Sequence, residues 1–436
     1  MISGPSVSER LEAVLSRIER NNPGNRIFIS LDTARARAAA ADADAHRAAG
    51  TTIGPLDGVL VAIKDNLAVA GLPWTAGIGA YRDRIAEEDS GVVQRLRAAG
   101  AVIVGTVNLH EGALGATTDN PHFGRCINPL RDGYTPGGSS GGSGAAVAGG
   151  YVDMAVGTDT LGSVRIPAAY CGIAGLKPTY GLVGRQGLSY LSPSLDTIGP
   201  IAGSVELLRA SLDAMAGRDG DPRSLGKPAG WTSQTGHMGL SSLTFGVPRQ
   251  IGDIDCEQAM LTGLQRARDA FESLGARIID IDLTEWRPGR ARRGGFMLAE
   301  AEGAVAMTDL LDPEVDGVSA LFRTLLTYGA EMPAARFVDA LDRIARARAS
   351  CHRALEACDA LLMPTAPQRA FAHGAPVPDN QADLTALANL AGCPALTLPV
   401  TVAEGALPAA VQMIARPWQD MGLLAIGEMV ETALVQ

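Results

Sequence analysis

The chain has 436 residues, 46% of them hydrophobic, with a formal net charge of −10. That length suits two or three average domains or one large α/β unit, and the apolar share is ample for a large core. The acidic balance and the lack of any long basic run argue against non-specific nucleic-acid binding, which needs a basic face. The 52 glycines and 25 prolines fit a chain with many strand–loop–helix connections.

In chain order, Ser8 is placed to cap a helix whose apolar stripe is Leu11, Val14, Leu15 and Ile18. Asn21-Asn22-Pro23-Gly24-Asn25 ends that helix, a strand is expected over 26–31, and an alanine-rich helix over 33–49. Val59-Leu60-Val61-Ala62-Ile63 is a short β-branched strand that carries Lys64 to its C-terminal end, where open α/β sheets build their sites. A helix over 91–99 and a buried strand over 102–105 follow. Beyond two glycine loops, the pattern predicts a helix over 204–217 and a Gly/Asp/Ser/Pro-rich linker over 218–239. It then predicts a β–α–β rhythm through 245–248, 256–274 and 278–283. Residues 291–357 are mainly helical, and 360–364 is another central strand.

Residues 384–403 are uncharged for long enough to span a bilayer, but Pro394, Pro399 and Asn389 break the run. A buried helix followed by a buried strand explains the segment better. The opening residues 1–8 lack a basic start and an apolar stretch, so no signal peptide is expected. A soluble, cytoplasmic protein is the expectation. The six cysteines form no C-x-x-C pair and read as reduced core residues.

Chemistry concentrates in two loops, Gly137-Gly138-Ser139-Ser140-Gly141-Gly142-Ser143-Gly144 and Thr158-Asp159-Thr160-Leu161-Gly162-Ser163. Alone, the first could equally be a turn, a connector or a phosphate nest, although no Gly-Lys-Ser/Thr follows it. With the second loop and Lys64, it supplies the parts for serine-based acyl transfer without a catalytic histidine. Ser163 would be the nucleophile, Ser139 a proton relay and Lys64 the base, which can serve only if burial lowers its pKa. The six histidines lack metal-ligand spacing, and no metal or organic cofactor is expected.

The second loop continues as Val164-Arg165-Ile166-Pro167-Ala168-Ala169-Tyr170-Cys171-Gly172, then Gly175-Leu176-Lys177-Pro178. Here the chain resembles the amidase signature family, whose GGSSGGS and GTDxxGSxRxPAxxCGxxGLKPT patterns it matches at nearly every fixed position. Lys64-Asp65-Asn66 and the segments 106–111, 119–124, 194–200, 363–367 and 388–395 are similar too, so the likeness covers about 8–432.

The resemblance implies one α/β domain over 1–436, with a mixed, twisted sheet of about ten or more strands flanked by helices. Its signature core is about 54–203, and 204–436 completes the sheet and the pocket. It implies a Lys64–Ser139–Ser163 relay and a cis peptide at Gly138–Ser139. The backbone N–H groups of Thr160, Leu161, Gly162 and Ser163 would form the oxyanion hole. Ser140 is a candidate helper, Ser143 a structural residue, and Gly138 and Leu161 are candidate substrate-binding positions. Asp159 and Arg165 would tie the nucleophile loop, unless they form a solvated surface pair. His110 and His122 would border the site in hydrogen-bonding roles. One departure stands out: Leu161 occupies a position where the family commonly has glycine, and it is expected to reshape substrate choice.

The reading is hydrolysis of a carboxamide or related C–N bond through a Ser163 acyl-enzyme, releasing ammonia or an amine. Pocket walls are expected within 291–340, where Phe296, Met297, Leu298, Phe322 and Leu325 are either lining or core. The expected partner is a small-molecule amide, with no nucleic acid and no membrane, and a homodimer is left open. One alternative is the glutamine-hydrolysing subunit of a tRNA-dependent amidotransferase, which the chain also resembles. A second is a non-catalytic protein using the glycine loops as an anion nest.

Overall fold

The computed structural model describes residues 4–232 and 239–436. Strands are numbered in chain order: β1 Phe28–Leu31, β2 Leu60–Lys64, β3 Val102–Val107, β4 Asp119–Asn120, β5 Gly124–Arg125, β6 Met154–Asp159, β7 Ala174–Lys177, β8 Thr197–Ala202, β9 Thr244–Pro248, β10 Arg277–Ile281, β11 Ala360–Pro364, β12 Ala395–Val400 and β13 Ala409–Ala415. Eleven of them form one sheet in the order β1-β3-β2-β6-β8-β7-β12-β13-β11-β9-β10, while β4 and β5 pair separately. The sheet is mixed: β2 runs parallel to β3 and β6, whereas β8 is antiparallel to β6 and β7. Twelve α-helices accompany it among the described residues, giving a single α/β domain.

The central strands are apolar on both faces. All of β2, β3, β6, β8, β11 and β13 is buried, as expected of strands covered by helices on each side. The parallel register Ile63↔Val156 brings the C-terminal ends of β2 and β6 side by side, which sets Lys64 beside Thr158. Strands β9 to β13, drawn from the second half of the chain, extend the same sheet.

Several expected elements appear with the predicted bounds, among them the helix Thr33–Ala49 and the strand Ala360–Pro364. The uncharged run resolves into the short buried helix Ala386–Ala391 and strand β12. No helix of the described residues is long and apolar enough to cross a membrane.

The first helix differs from expectation. It spans Val7–Asn25, and its cap is Ser6 rather than Ser8. Ser6 Oγ accepts from the Glu9 N–H and the Glu9 carboxylate accepts from the Ser6 N–H, a reciprocal capping box. Ser8 instead sits inside the helix, its N–H donating to Asp44. Pro23 does not stop the helix, which ends at left-handed Arg26 (φ 52°). The expected linker is irregular over its described part, 218–232, and its stretch 233–238, with His237, lies outside the described residues.

Candidate active site

Lys64 is held by its strand with no exposure to solvent. Its Nζ lies 2.8 Å from Ser139 Oγ and 2.7 Å from Thr158 Oγ1, and Asn66 Nδ2 donates to the same Thr158 oxygen at 3.0 Å. An ammonium donates in all these contacts. Once neutral, the amine can instead accept from the Ser139 hydroxyl across the same 2.8 Å. Burial lowers the Lys64 pKa to about 7, against the opposing pull of Asp196 and Asp159. The buried amine is therefore about half neutral near pH 7.

Ser139 is also fully buried. It follows a cis peptide at Gly138–Ser139 and precedes the helix Gly141–Ala148. Ser140 joins the two loops. Its Oγ donates to the Thr158 carbonyl at 3.1 Å and accepts from the Thr158 N–H at 3.2 Å, while its own N–H donates to the Ser163 carbonyl at 3.2 Å. Ser140 thus braces the strand that carries the nucleophile loop. Ser143 Oγ donates to the Val156 carbonyl, a structural bond.

Ser163 is half-buried, in contrast to the sealed Lys64 and Ser139. It opens into a small cavity of about 30 Å³, shared with Thr160, Leu161 and Gly162 of its own loop and with Leu114, Leu191, Phe296 and Ala299. Phe296 is therefore pocket lining, whereas Met297, Leu298 and Phe322 are buried core residues.

A buried polar network fixes the nucleophile loop. Asp159 and Arg165 are both fully buried, and the guanidinium donates to both carboxylate oxygens at 3.0 Å. Burial alone would raise the Asp159 pKa, but Arg165, Lys177 and Asn389 hold it at about 2. Arg165 also donates to the Thr385 carbonyl and to Gln412, and Thr385 Oγ1 donates to the Leu161 carbonyl at 2.6 Å. Asn389 donates to the Asp159 carbonyl at 3.0 Å. Beside them, Asp196 accepts from Thr160 Oγ1 and from the N–H groups of Leu191 and Ser192.

One member of the expected oxyanion hole is already engaged. The Gly162 N–H donates to Asp159 Oδ1 at 2.7 Å, one of several donors gathered on this buried carboxylate. Gly162 serves by shape instead. Its φ is +141°, and a Cβ there would meet Thr385 Oγ1 at 2.3 Å. Leu161 is absent from the residues with positive φ, so leucine fits that position without backbone cost.

His110 donates its backbone N–H to the Ser139 carbonyl at 3.0 Å, and its ring meets Thr117. Burial lowers its pKa to about 4, so the ring stays neutral. His122 bonds Glu111 at 2.8 Å. Sequence reasoning gave no role to Thr158, Thr385 or Gln412. Thr158 stands in the glycine-loop motif next to Asp159, which was the available signal for it.

The amidase family model matches residues 9–424. The chain is 37% identical over 452 aligned positions to a glutamyl-tRNA(Gln) amidotransferase subunit of Chloroflexus aurantiacus, covering 96% of this chain and 92% of that protein. Among solved structures, native peptide amidase from Stenotrophomonas maltophilia superposes with a TM-score of 0.85 at 29% identity, covering 99% of this chain and 94% of that one. A protein from a vestigial complex, described for the evolutionary origins of an s-triazine catabolic enzyme, superposes with a TM-score of 0.89 at 31% identity. It covers 99% of this chain and 96% of that one.

Proposed function

The chain belongs to the amidase family, and from that premise we propose that it hydrolyses small uncharged carboxamides through a Ser163 acyl-enzyme. Ser163 Oγ attacks the amide carbon while its proton passes to Ser139, whose own proton passes to neutral Lys64. The new O–C bond forms, and the oxyanion is met by the N–H groups of Ser163, Leu161 and Thr160. The C–N bond then breaks as the proton returns through Ser139 to the leaving nitrogen. Water, deprotonated by the same relay, cleaves the ester and frees Ser163. The observation that carries this reading is a lysine sealed from solvent 2.8 Å from Ser139, with its pKa brought to about 7.

The relatives that are glutamyl-tRNA(Gln) amidotransferase subunits favour a second reading, glutamine hydrolysis for a partner subunit. The cavity weighs against it. No charged side chain is among its described lining residues, so the α-ammonium and α-carboxylate of glutamine would lose water without gaining a partner there. The test is labelling with a fluorophosphonate probe together with ammonia release from butyramide and from glutamine. Ser163-dependent labelling and turnover of butyramide over glutamine are expected. No labelling of folded protein, or turnover of glutamine alone, would overturn the proposal.

A further inference from the structure

We infer that the bare Cα of Gly295 and the side chain of Leu161 together set the length of acyl group this site accepts, with short aliphatic acyl groups of about two to four carbons as the substrate class. The inference rests on the proposed Ser163 acyl-enzyme. Leu161 borders the cavity beside Ser163 and is only 4% exposed. It also packs against the helix Pro288–Ala306, where Gly295 presents no side chain to it. A Cβ built on Gly295 would lie 2.8 Å from Leu161 Cδ2 and 3.3 Å from its Cδ1, with Leu390 Cδ2 at 3.2 Å. A methyl added at Gly295 therefore requires the Leu161 δ-carbons to shift, and because the leucine also lines the cavity, that shift reshapes the acyl space.

The same helix adds Phe296 and Ala299 to the wall, alongside Leu114, Ile166 and Leu191. The two side-chain hydroxyls of the lining belong to Ser163 and Thr160, and Thr160 donates its hydroxyl to Asp196 at 2.6 Å. Such a wall selects for apolar shape. The room inside this wall is about 30 Å³, far below that of a usual ligand cavity, which points to short acyl groups.

The test measures kcat/KM for acetamide, butyramide and hexanamide with the wild type, Gly295→Ala, Leu161→Ala and the double variant, each checked by thermal unfolding. In an apolar pocket each methylene is worth about 10-fold or more in discrimination. Leu161→Ala should therefore raise the hexanamide-to-acetamide ratio by about 10-fold or more, and Gly295→Ala should lower the butyramide-to-acetamide ratio by a similar factor. The double variant separates packing from folding, because without the leucine δ-carbons the added methyl has room. Its ratios should lie within about 3-fold of those of Leu161→Ala. If Gly295→Ala does not fold, the Leu161→Ala ratio and its persistence in the double variant decide the matter. Wild-type turnover with ratios unmoved by Leu161→Ala would overturn this inference alone. A wild type that neither turns over nor labels would overturn the proposed function instead.

Discussion

Lys64 ties activity to stability through one titration. Burial moves its pKa from 10.5 to about 7, which at 1.36 kcal/mol per pH unit is a penalty of about 5 kcal/mol on the ammonium form. The native pKa is depressed, so between pH 7 and 10.5 the unfolded chain binds the extra proton and stability rises with pH. Below about pH 7 both states are protonated and the penalty is fully present. Replacing Lys64 with Met removes the titration. The stability of Lys64→Met relative to the wild type should therefore fall by about 4–5 kcal/mol as pH rises from 7 to 10.5. The loss of a partner for Ser139 and Thr158 adds a constant offset that does not alter this swing. Chemical denaturation at about pH 7, 8.5 and 10 measures it. In parallel, kcat/KM of the wild type should rise with pH through a single ionisation near 7, as the base becomes neutral. A flat stability difference would refute the reasoning. So would a kinetic ionisation that disappears in Asp65→Asn, because burial raises the neighbouring Asp65 carboxyl to about 7 as well.

Two further outcomes follow from the hydrogen bonds. Thr158→Val removes the hydroxyl that accepts from Lys64 and Asn66, so kcat should fall by about 10²-fold and the kinetic ionisation should move to lower pH, read from pH–rate profiles. Arg165→Met leaves Asp159 charged and buried without its main partner, which should cost about 3–5 kcal/mol in denaturant unfolding.

Lys64, Ser139 and Ser163 stand out in the sequence because each sits in a local signature: a lysine ending an apolar strand, and two serines in glycine loops. The sheet was legible for a similar reason, since strands buried on both faces read as unbroken apolar runs such as Ala360–Pro364. What stayed hidden depends on residues far apart in the chain. Thr385 reaches Leu161 across 224 positions and Asn389 reaches Asp159 across 230. Nothing in the local pattern of 384–403 distinguishes those two side chains from ordinary helix residues. The choice of Ser6 over Ser8 as a cap is, by contrast, local: Ser6 and Glu9 form a capping box, while Asp44 of the next helix accepts the Ser8 N–H.

The nucleophile loop also shows why adjacent positions in one turn tolerate different side chains. At Gly162 two independent constraints exclude a Cβ, the positive φ and the Thr385 hydroxyl at 2.3 Å. That hydroxyl cannot retreat without releasing the Leu161 carbonyl it holds at 2.6 Å. At 161 the backbone conformation is ordinary and a bare glycine lies across the interface, so the fold accepts a leucine there at no conformational cost. The N–H of residue 161 keeps its place whichever side chain is present, because it is set by the backbone on either side. In the proposed mechanism, catalytic geometry and acyl selection can therefore vary independently at this residue: the amide would serve the oxyanion, and the side chain would limit what is attached to it.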